Sequence, residues 1–553
     1  PRSPEDSSMR SRLAPALAAS LLTSSIVAQN NNQTSTLSPI VPGGVPFTLS
    51  IEEVEWSGDP LPAIHSAATA IHDGKMLFVG GKTSGLHGFT CDPAQNFPPA
   101  HFNRELYVVD LASGDVFARS IDDPASGLTG EQRSEVASIN TLRLQAGDRL
   151  LVIGGYGLDT SLDYETFGSL RIMDVPGTIA WAMGDSTQLV DHVKFVAPPA
   201  EAPGELATTF FTLTGGEMIR MPGTKLDEFM LCLGQSFQQG YGCTPGFPNQ
   251  TYSRQIRRFA IDLDAKSPVA IFRSASPQAS WARRRDLNIF PARVPGGDGA
   301  VVAAGPFTPG PIPGIWTVPI VVGPSGLMSM DDPNDPATLK QGFAAYASSK
   351  LAFWSASRGE NWLVAMGGIG YVVVENGAYV ENVELPYSNA SFALRYAPSS
   401  DAWSQHLMLD SSFPTIVSPS SGETFFFGTE TLVFPLLPTD SHDMFDLDAL
   451  LAAGKPVEIA LLHGGIVAEG QGVGSFPNTY ASNVMFKVSI EPACIGDFTG
   501  SGSVDGSDLA VLLGAWGPVP TNAIVPSDLN GDGEVNGADL GLLLSHWGPC
   551  GKP

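Results

Sequence analysis

The chain has 553 residues, 30 Lys and Arg against 56 Asp and Glu, and a formal charge of −26. That length exceeds one compact domain, and so acidic a protein is a poor match for nucleic acid or an anionic membrane surface. Only 16% of residues are charged, while Gly and Pro number 60 and 45, which fits a turn-rich β body and not a disordered chain.

In chain order, the first expected element is a secretory signal peptide at 9–28, with residues 1–8 as an upstream extension. Met9 is followed by Arg10 and Arg12, then an apolar run from Leu13 to Ala28, with Ile26 and Ala28 suited to cleavage before Gln29. Pro15 and several Ser and Thr break the run, which argues against an anchor. No other segment is apolar for long enough to span. The expectation is therefore export to an extracellular or cell-surface location, with no membrane span. Residues 29–46, rich in Asn, Ser, Thr and Pro, read as a flexible leader.

Over 47–490 no long amphipathic helix is evident. A unit recurs instead: an apolar strand often ending in Gly-Gly, a variable loop, then a strand with an aromatic and Asp. Lys75–Gly81 is followed by Glu105–Gly114, Arg149–Gly155 by Leu170–Asp174, and Phe229–Gly234 by Ile256–Asp262. Ala300–Gly305 is followed by Gly314–Trp316, Trp362–Gly368 by Phe392–Tyr396 and Trp403, and Leu461–Gly465 by Val484–Val488. Such runs suit buried strands, and the glycines permit positive φ or close backbone approach. Units of this kind cannot bury their faces alone and must pack round a ring. The Gly-Gly end and later aromatic resemble kelch repeats, which implies a mainly β fold: a kelch-like β-propeller of about six blades. Residues 47–56 are expected to close the ring with the last unit. A β-sandwich is the competing reading.

The chemistry within 47–490 is sparse. His65, His72, His87 and His101 crowd the first unit, but no His-x-His or His-x-x-x-His spacing occurs, and packing or surface roles account for them better. The cationic run Trp281-Ala-Arg283-Arg284-Arg285-Asp286 suits an ion-paired sheet edge better than a carboxylate clamp at the ring mouth. Gly-x-Ser-x-Gly, His-Glu-x-x-His, P-loop and repeated sialidase-type boxes are absent, and no copper-oxidase ligand set can be placed. Catalytic residues are thus unassigned, and a non-enzymatic role is the first reading. Paired carboxylates are set by space and not by sequence, so an enzyme acting on carbohydrate (hydrolase, lyase or oxidase) is the second. Among the five cysteines, Cys494 with Cys550 and Cys232 with Cys243 are plausible bridges, leaving Cys91 over; all being free is the alternative.

After a short break at Glu491-Pro492-Ala493, residues 494–550 carry one twelve-residue loop twice, 31 residues apart. The first copy places oxygens at Asp497, Thr499, Ser501, Asp505 and Asp508, the second at Asp528, Asn530, Asp532, Asn536 and Asp539. These are positions 1, 3, 5, 9 and 12 of a loop that can wrap a hard cation, with the position 7 carbonyls of Ser503 and Glu534 completing the set. Two calcium ions are the expected cofactors. The more acidic second loop should bind more tightly, and metal binding should be coupled to folding. Each loop leads into an apolar stripe, Leu509, Leu512, Leu513 and Trp516, then Leu540, Leu543, Leu544 and Trp547, spaced for one helix face. Neither loop has a helical pattern before it, and position 12 is Asp where an ordinary EF-hand has Glu. A tandem loop–helix unit ending in Asp resembles the type I dockerin module. The resemblance implies a cohesin-type partner and a polysaccharide-degrading assembly, with a carbohydrate ligand for the body. One departure stands out: positions 10 and 11, where dockerins usually carry recognition side chains, are Gly506-Ser507 and Gly537-Ala538.

Overall fold

The computed structural model describes residues 37–550 except 89, 224, 243–248, 304, 310–313, 344–345 and 473–477. The expected signal peptide, the leader up to residue 36, and Cys243 lie outside the described residues. Among the described residues, six main sheets follow one another along the chain, five of them four-stranded and antiparallel and the fifth widened to six strands by two parallel pairings. In the first four the strands run in sequence order, as in Ala68–His72, Lys75–Val79, Glu105–Asp110 and Val116–Ser120 of the first sheet. The remaining sheets span 142–196, 217–275, 289–329 and 349–408, and the sixth joins Leu432–Pro435, Val457–His463 and Met485–Pro492 to Phe47–Glu53. The strand expected within 47–56 thus pairs with the last unit, from Phe47 opposite Pro492 to Glu53 opposite Phe486.

Five of the six expected strand pairs form as read: Lys75–Val79 with Glu105–Asp110, and the corresponding pairs of sheets two, three, five and six. The fourth does not. Gly297–Val302 pairs with Ile320–Val322, while Ile315–Trp316 turns back on Gly305–Pro306 in a separate small hairpin. The unit's aromatic therefore sits in that hairpin, where Trp316 lies under the Arg284 guanidinium at 5.0 Å. The second strands are apolar on both faces because each is covered by a sheet on either side; Met76, Leu77, Phe78 and Val79 are all buried. The core lies between consecutive sheets. Phe78 of the first sheet meets Phe434 of the sixth edge-on at 5.3 Å, so first and last sheets share a core like any other neighbours.

The glycines have a definite task. At the ends of second strands, Gly80, Gly154, Gly367 and Gly464 have positive φ, and each has a neighbouring backbone where a side chain would go. A Cβ on Gly154 would meet the Leu213 carbonyl oxygen at 2.0 Å, and one on Gly464 would meet that of Ile64 at 2.1 Å. The next N–H then reaches the following sheet: Gly81 donates to Ser138, Gly155 to Leu213, Gly234 to Arg284, and Gly465 to Ile64. The last of these joins sheet six to sheet one.

A second set of bonds runs round the leading ends of the first strands. The N–H of Asn140 donates to the Ser66 carbonyl, Gly215 to Asn140, Asp286 to Gly215, Ala347 to Asp286, and Glu430 to Ala347. Ser66, Asn140, Gly215, Asp286 and Glu430 all have φ between 49 and 63. The Glu430 carboxylate accepts the Ser66 hydroxyl, so the sixth position returns to the first.

Residues 38–550 fall in one unit. Within it, Ile40–Pro42 pairs parallel with Gln405–Leu407, so this part of the expected leader is an added strand of the fifth sheet. Residues 494–550 rest on the hairpin formed by Val372–Glu375 and Ala378–Glu381. The Tyr379 N–H donates to the Asn522 carbonyl at 2.8 Å and the Ile524 N–H to Gly377 at 3.0 Å.

Candidate metal-binding module

Residues 494–550 are two copies of one unit folded against each other. Each loop leads into a nine-residue helix, Gly506–Gly514 or Gly537–Ser545. Ser503–Val504 of the first loop pairs with Gly548–Pro549 after the second helix, and Glu534–Val535 of the second pairs with Gly517–Pro518 after the first. This crossing ties the halves together around a small core of Val504, Leu512, Leu529, Val535 and Leu543. Cys494 and Cys550 form a disulfide across the module's ends, as the spacing suggested, and Cys550 Sγ lies 3.6 Å from Asp497. The other expected bridge is corrected: Cys232 is a buried free thiol, because it faces the apolar interior of its sheet, while Cys91 is disulfide-bonded.

The loops share one pattern of backbone hydrogen bonds to their carboxylates. In the first, Asp497 accepts the N–H of Ser501 at 3.0 Å and Gly502 at 2.8 Å. In the second, Asp528 accepts those of Asp532 at 3.2 Å and Gly533 at 3.0 Å. At position 12, Asp508 accepts the N–H groups of Thr499 and Asp505, and Asp539 those of Asn530 and Asn536. Position 9 caps the helix: Asp505 accepts from Ser507 and Asn536 from Ala538, each at 2.7 Å. Ser501 donates to the Ser503 carbonyl at 3.0 Å, and Asn530 donates to Asp532 at 2.9 Å. Glu534 is exposed, and its backbone oxygen is the group relevant to a cation. All twelve expected ligand residues thus lie in two loops of one shape.

Electrostatics favour a cation in both. Asp508 and Asp539 are fully buried and Asp528 nearly so, and no Lys or Arg occurs between Cys494 and Cys550. Burial pushes the Asp528 carboxyl up, and Asp539 and Asp532 add to the shift against the Gly533 N–H. At Asp508 burial also pushes up, but the donated N–H and hydroxyl bonds prevail and the group lies below the usual carboxylate range. Crowded carboxylates, two of them buried without a counter-ion, are the donor set a divalent cation satisfies.

The helix stripes differ from expectation. Leu512 and Leu543 are buried and Leu509 and Leu540 half-buried, but Leu513, Trp516, Leu544 and Trp547 face solvent. Two short helices share a core wide enough for only one row each. The outward row repeats between copies: Trp516 and Trp547 are each 49% exposed, Leu513 52% and Leu544 51%, joined by Val511 and Leu542. The sequence signal was the in-register Trp, placed there on the same helix face as the buried Leu512 and Leu543.

The other sequence candidates are structural. His65 contacts Glu430 and the Ser84 carbonyl, His72 lies beside Asp73 and Asp148, His87 stacks on Phe97, and His101 contacts Thr83. They do not gather: among the described residues no histidine belongs to a group of three metal-ligating side chains. Arg283 lies over the Tyr252 ring at 3.9 Å. Buried Arg284 donates to the carbonyls of Trp281, Ala303 and Val318, and Arg285 pairs with Asp286 at 3.0 Å. This run is committed internally, but of its three arginines only Arg285 is ion-paired, and all three lie in the loop before Ile289–Val294 and not in a strand.

Residues 495–546 match the family model described as Dockerin type I domain, which agrees with the loops and helices above. No curated protein matches the chain. A solved structure titled "Structure of YjhT" aligns over 80% of this chain and 96% of its own at 11% identity, with a TM-score of 0.37, too low to support any argument. The body is thus mainly β with no assigned relative, and no helix among the described residues is long and apolar enough to cross a membrane. What the comparisons establish is a chain whose C-terminal segment is similar to type I dockerins.

Proposed function

We propose that this is an exported protein in which a dockerin-type module at 494–550 binds two calcium ions and attaches the body, residues 47–490, to a cohesin-type domain. That domain would belong to a cell surface or a multiprotein assembly, with polysaccharide breakdown as the setting. The observation that carries the proposal is the duplicated loop. Two carboxylate sets with the same hydrogen bonds, in a segment matching type I dockerins, are the arrangement calcium organises in that family. Position 10 and 11 side chains are small here. The exposed row of Val511, Leu513 and Trp516, repeated as Leu542, Leu544 and Trp547, supplies the apolar and aromatic contacts an interface centre requires.

The body is read as a six-bladed, kelch-like β-propeller that binds a ligand. Support comes from the six consecutive sheets, the glycine N–H bonds that reach from the first three sheets to the sheet that follows each, and the return from Gly465 to Ile64. An enzyme on the same scaffold is the second reading. The cavity enclosed by the first strands contains Glu217, Asp286, Glu430, Asp440 and Asp443, so carboxylates are present at its wall. The experiment is titration of the full chain with isolated type I cohesin domains in calcium and in EDTA. Saturable binding in calcium, abolished by EDTA, is expected. Equal binding in both, or none to any cohesin, contradicts the attachment role.

A further inference from the structure

The first strands of all six sheets enclose a cavity of about 650 Å³. Its wall carries charged groups, Arg143, Glu217, Arg220 and Lys350 on the strands and Asp286, Glu430, Asp440 and Asp443 in the adjoining loops, and polar residues on a partly apolar wall need a reason. Most are paired. Lys350 meets Glu217, Asp286 meets Arg285, Asp440 meets Arg293, Arg220 lies 3.9 Å from Asp227, and Glu430 is held by His65. Arg143 is different. It is the second residue of its strand, Leu142–Ala146, and lines the cavity, yet among the described residues no ion pair or hydrogen bond reaches its guanidinium. Burial presses against its charge, with Glu217 and Glu430 supporting it at a distance. Two further groups on the same wall are buried without a partner, the Thr141 hydroxyl and Asp443 Oδ2.

An unpaired guanidinium offers a rigid planar fork of donors that matches a carboxylate, and desolvation makes the interaction count. The five acidic groups on the wall outnumber the three basic ones, Arg143, Arg220 and Lys350, so a dianion is disfavoured and one negative charge is the most the cavity welcomes. Thr141 and Asp443 can accept hydroxyl protons. We propose that this cavity binds a small, singly charged carboxylate that also carries hydroxyl groups, with Arg143 as its carboxylate receptor. The inference rests on reading the body as a ligand-binding ring and specifies what that ring binds. The volume suits a molecule of one or two sugar rings and not a polymer segment.

The test is calorimetry of the full chain with glucuronate, with glucose as its uncharged counterpart, and with inorganic phosphate. Glucuronate should bind at least about tenfold more tightly than glucose, the margin of a charged hydrogen bond. Arg143→Ala should erase that margin with the melting temperature kept, and Arg143→Lys should restore only part of it. Equal binding of glucuronate and glucose, with Arg143→Ala without effect, overturns the carboxylate assignment while leaving a ligand-binding ring. Phosphate binding above glucuronate overturns the single-charge argument. Failure of all three probes to bind overturns this inference and the ligand-binding reading of the body together.

Discussion

His65 Nδ1 lies 3.0 Å from Glu430 Oε2 although 365 residues separate the two. Their carboxylate also accepts the hydroxyls of Ser66 and Tyr346. It thereby joins the segment leading into the first sheet to that leading into the sixth. Burial pushes the Glu430 carboxyl up, but His65, Ser66 and Tyr346 outweigh it and hold the group down at about 2. A depressed carboxyl contributes stability that is complete above its ordinary value of 4.5 and is lost as pH falls through 2. The difference is on the order of 3 kcal/mol. Glu430→Gln should therefore cost most of that amount at pH 7 and clearly less at pH 3, read by denaturant unfolding at both values. An equal cost at the two pH values would refute the assignment.

The Gly-Gly stitches predict a steep contrast between glycines. Gly147 and Gly154 have φ of +57 and +60, so alanine is strained at both. Nothing lies within 4 Å of a Cβ at Gly147, while one at Gly154 would overlap the Leu213 carbonyl. Gly147→Ala should cost about 1 kcal/mol, and Gly154→Ala ~1–3 kcal/mol more from forced displacement. Urea midpoints compare them directly; similar losses would mean the sheets are not held by this close approach.

The division at 491–493 predicts two linked transitions. Chelation should melt residues 494–550, whose small core needs its metal, and leave the main transition of the body nearly in place. The contact surface adds a local readout. The amides of Tyr379 and Ile524, which bond across it, should exchange faster in EDTA. Scanning calorimetry in which chelator shifts the main transition as far as the small one would show that the two parts unfold together.

Trp516→Ala and Trp547→Ala remove side chains that are half exposed, so stability should change by less than about 0.5 kcal/mol each. Cohesin binding should weaken by about tenfold or more with at least one of them, as for aromatic anchors at interfaces. Unchanged binding in both variants would place the interface elsewhere on the module.

What could be read from sequence was local. The two carboxylate loops, the disulfide across their module and five of six strand pairs carry spacing signals within some tens of residues. The pairing of Phe47–Glu53 with the last sheet was legible because strand chemistry at one end lacked a neighbour. The fourth sheet misled because Gly305 starts a small hairpin, which took Trp316 out of the main sheet. Cys232 misled because proximity in sequence to Cys243 says nothing about a side chain that points into a sheet core. The outward Trp516 and Trp547 obey the same spacing as buried residues, and only the narrowness of the core separates them. Arg143, Ser66, Asn140 and Glu430 gave no signal, and Asp286 figured only as the end of the cationic run. They are scattered polar residues in separate segments of the body, and only the fold brings them to one cavity.

Both loops are expected to bind calcium, and the more acidic second loop to bind it more tightly. Calorimetric titration of the metal-stripped full chain with calcium tests this most directly. Two sites are expected, with Asp539→Ala removing the tighter and Asp508→Ala the weaker. One site, no site, or loss of the weaker site on changing Asp539 would contradict the account.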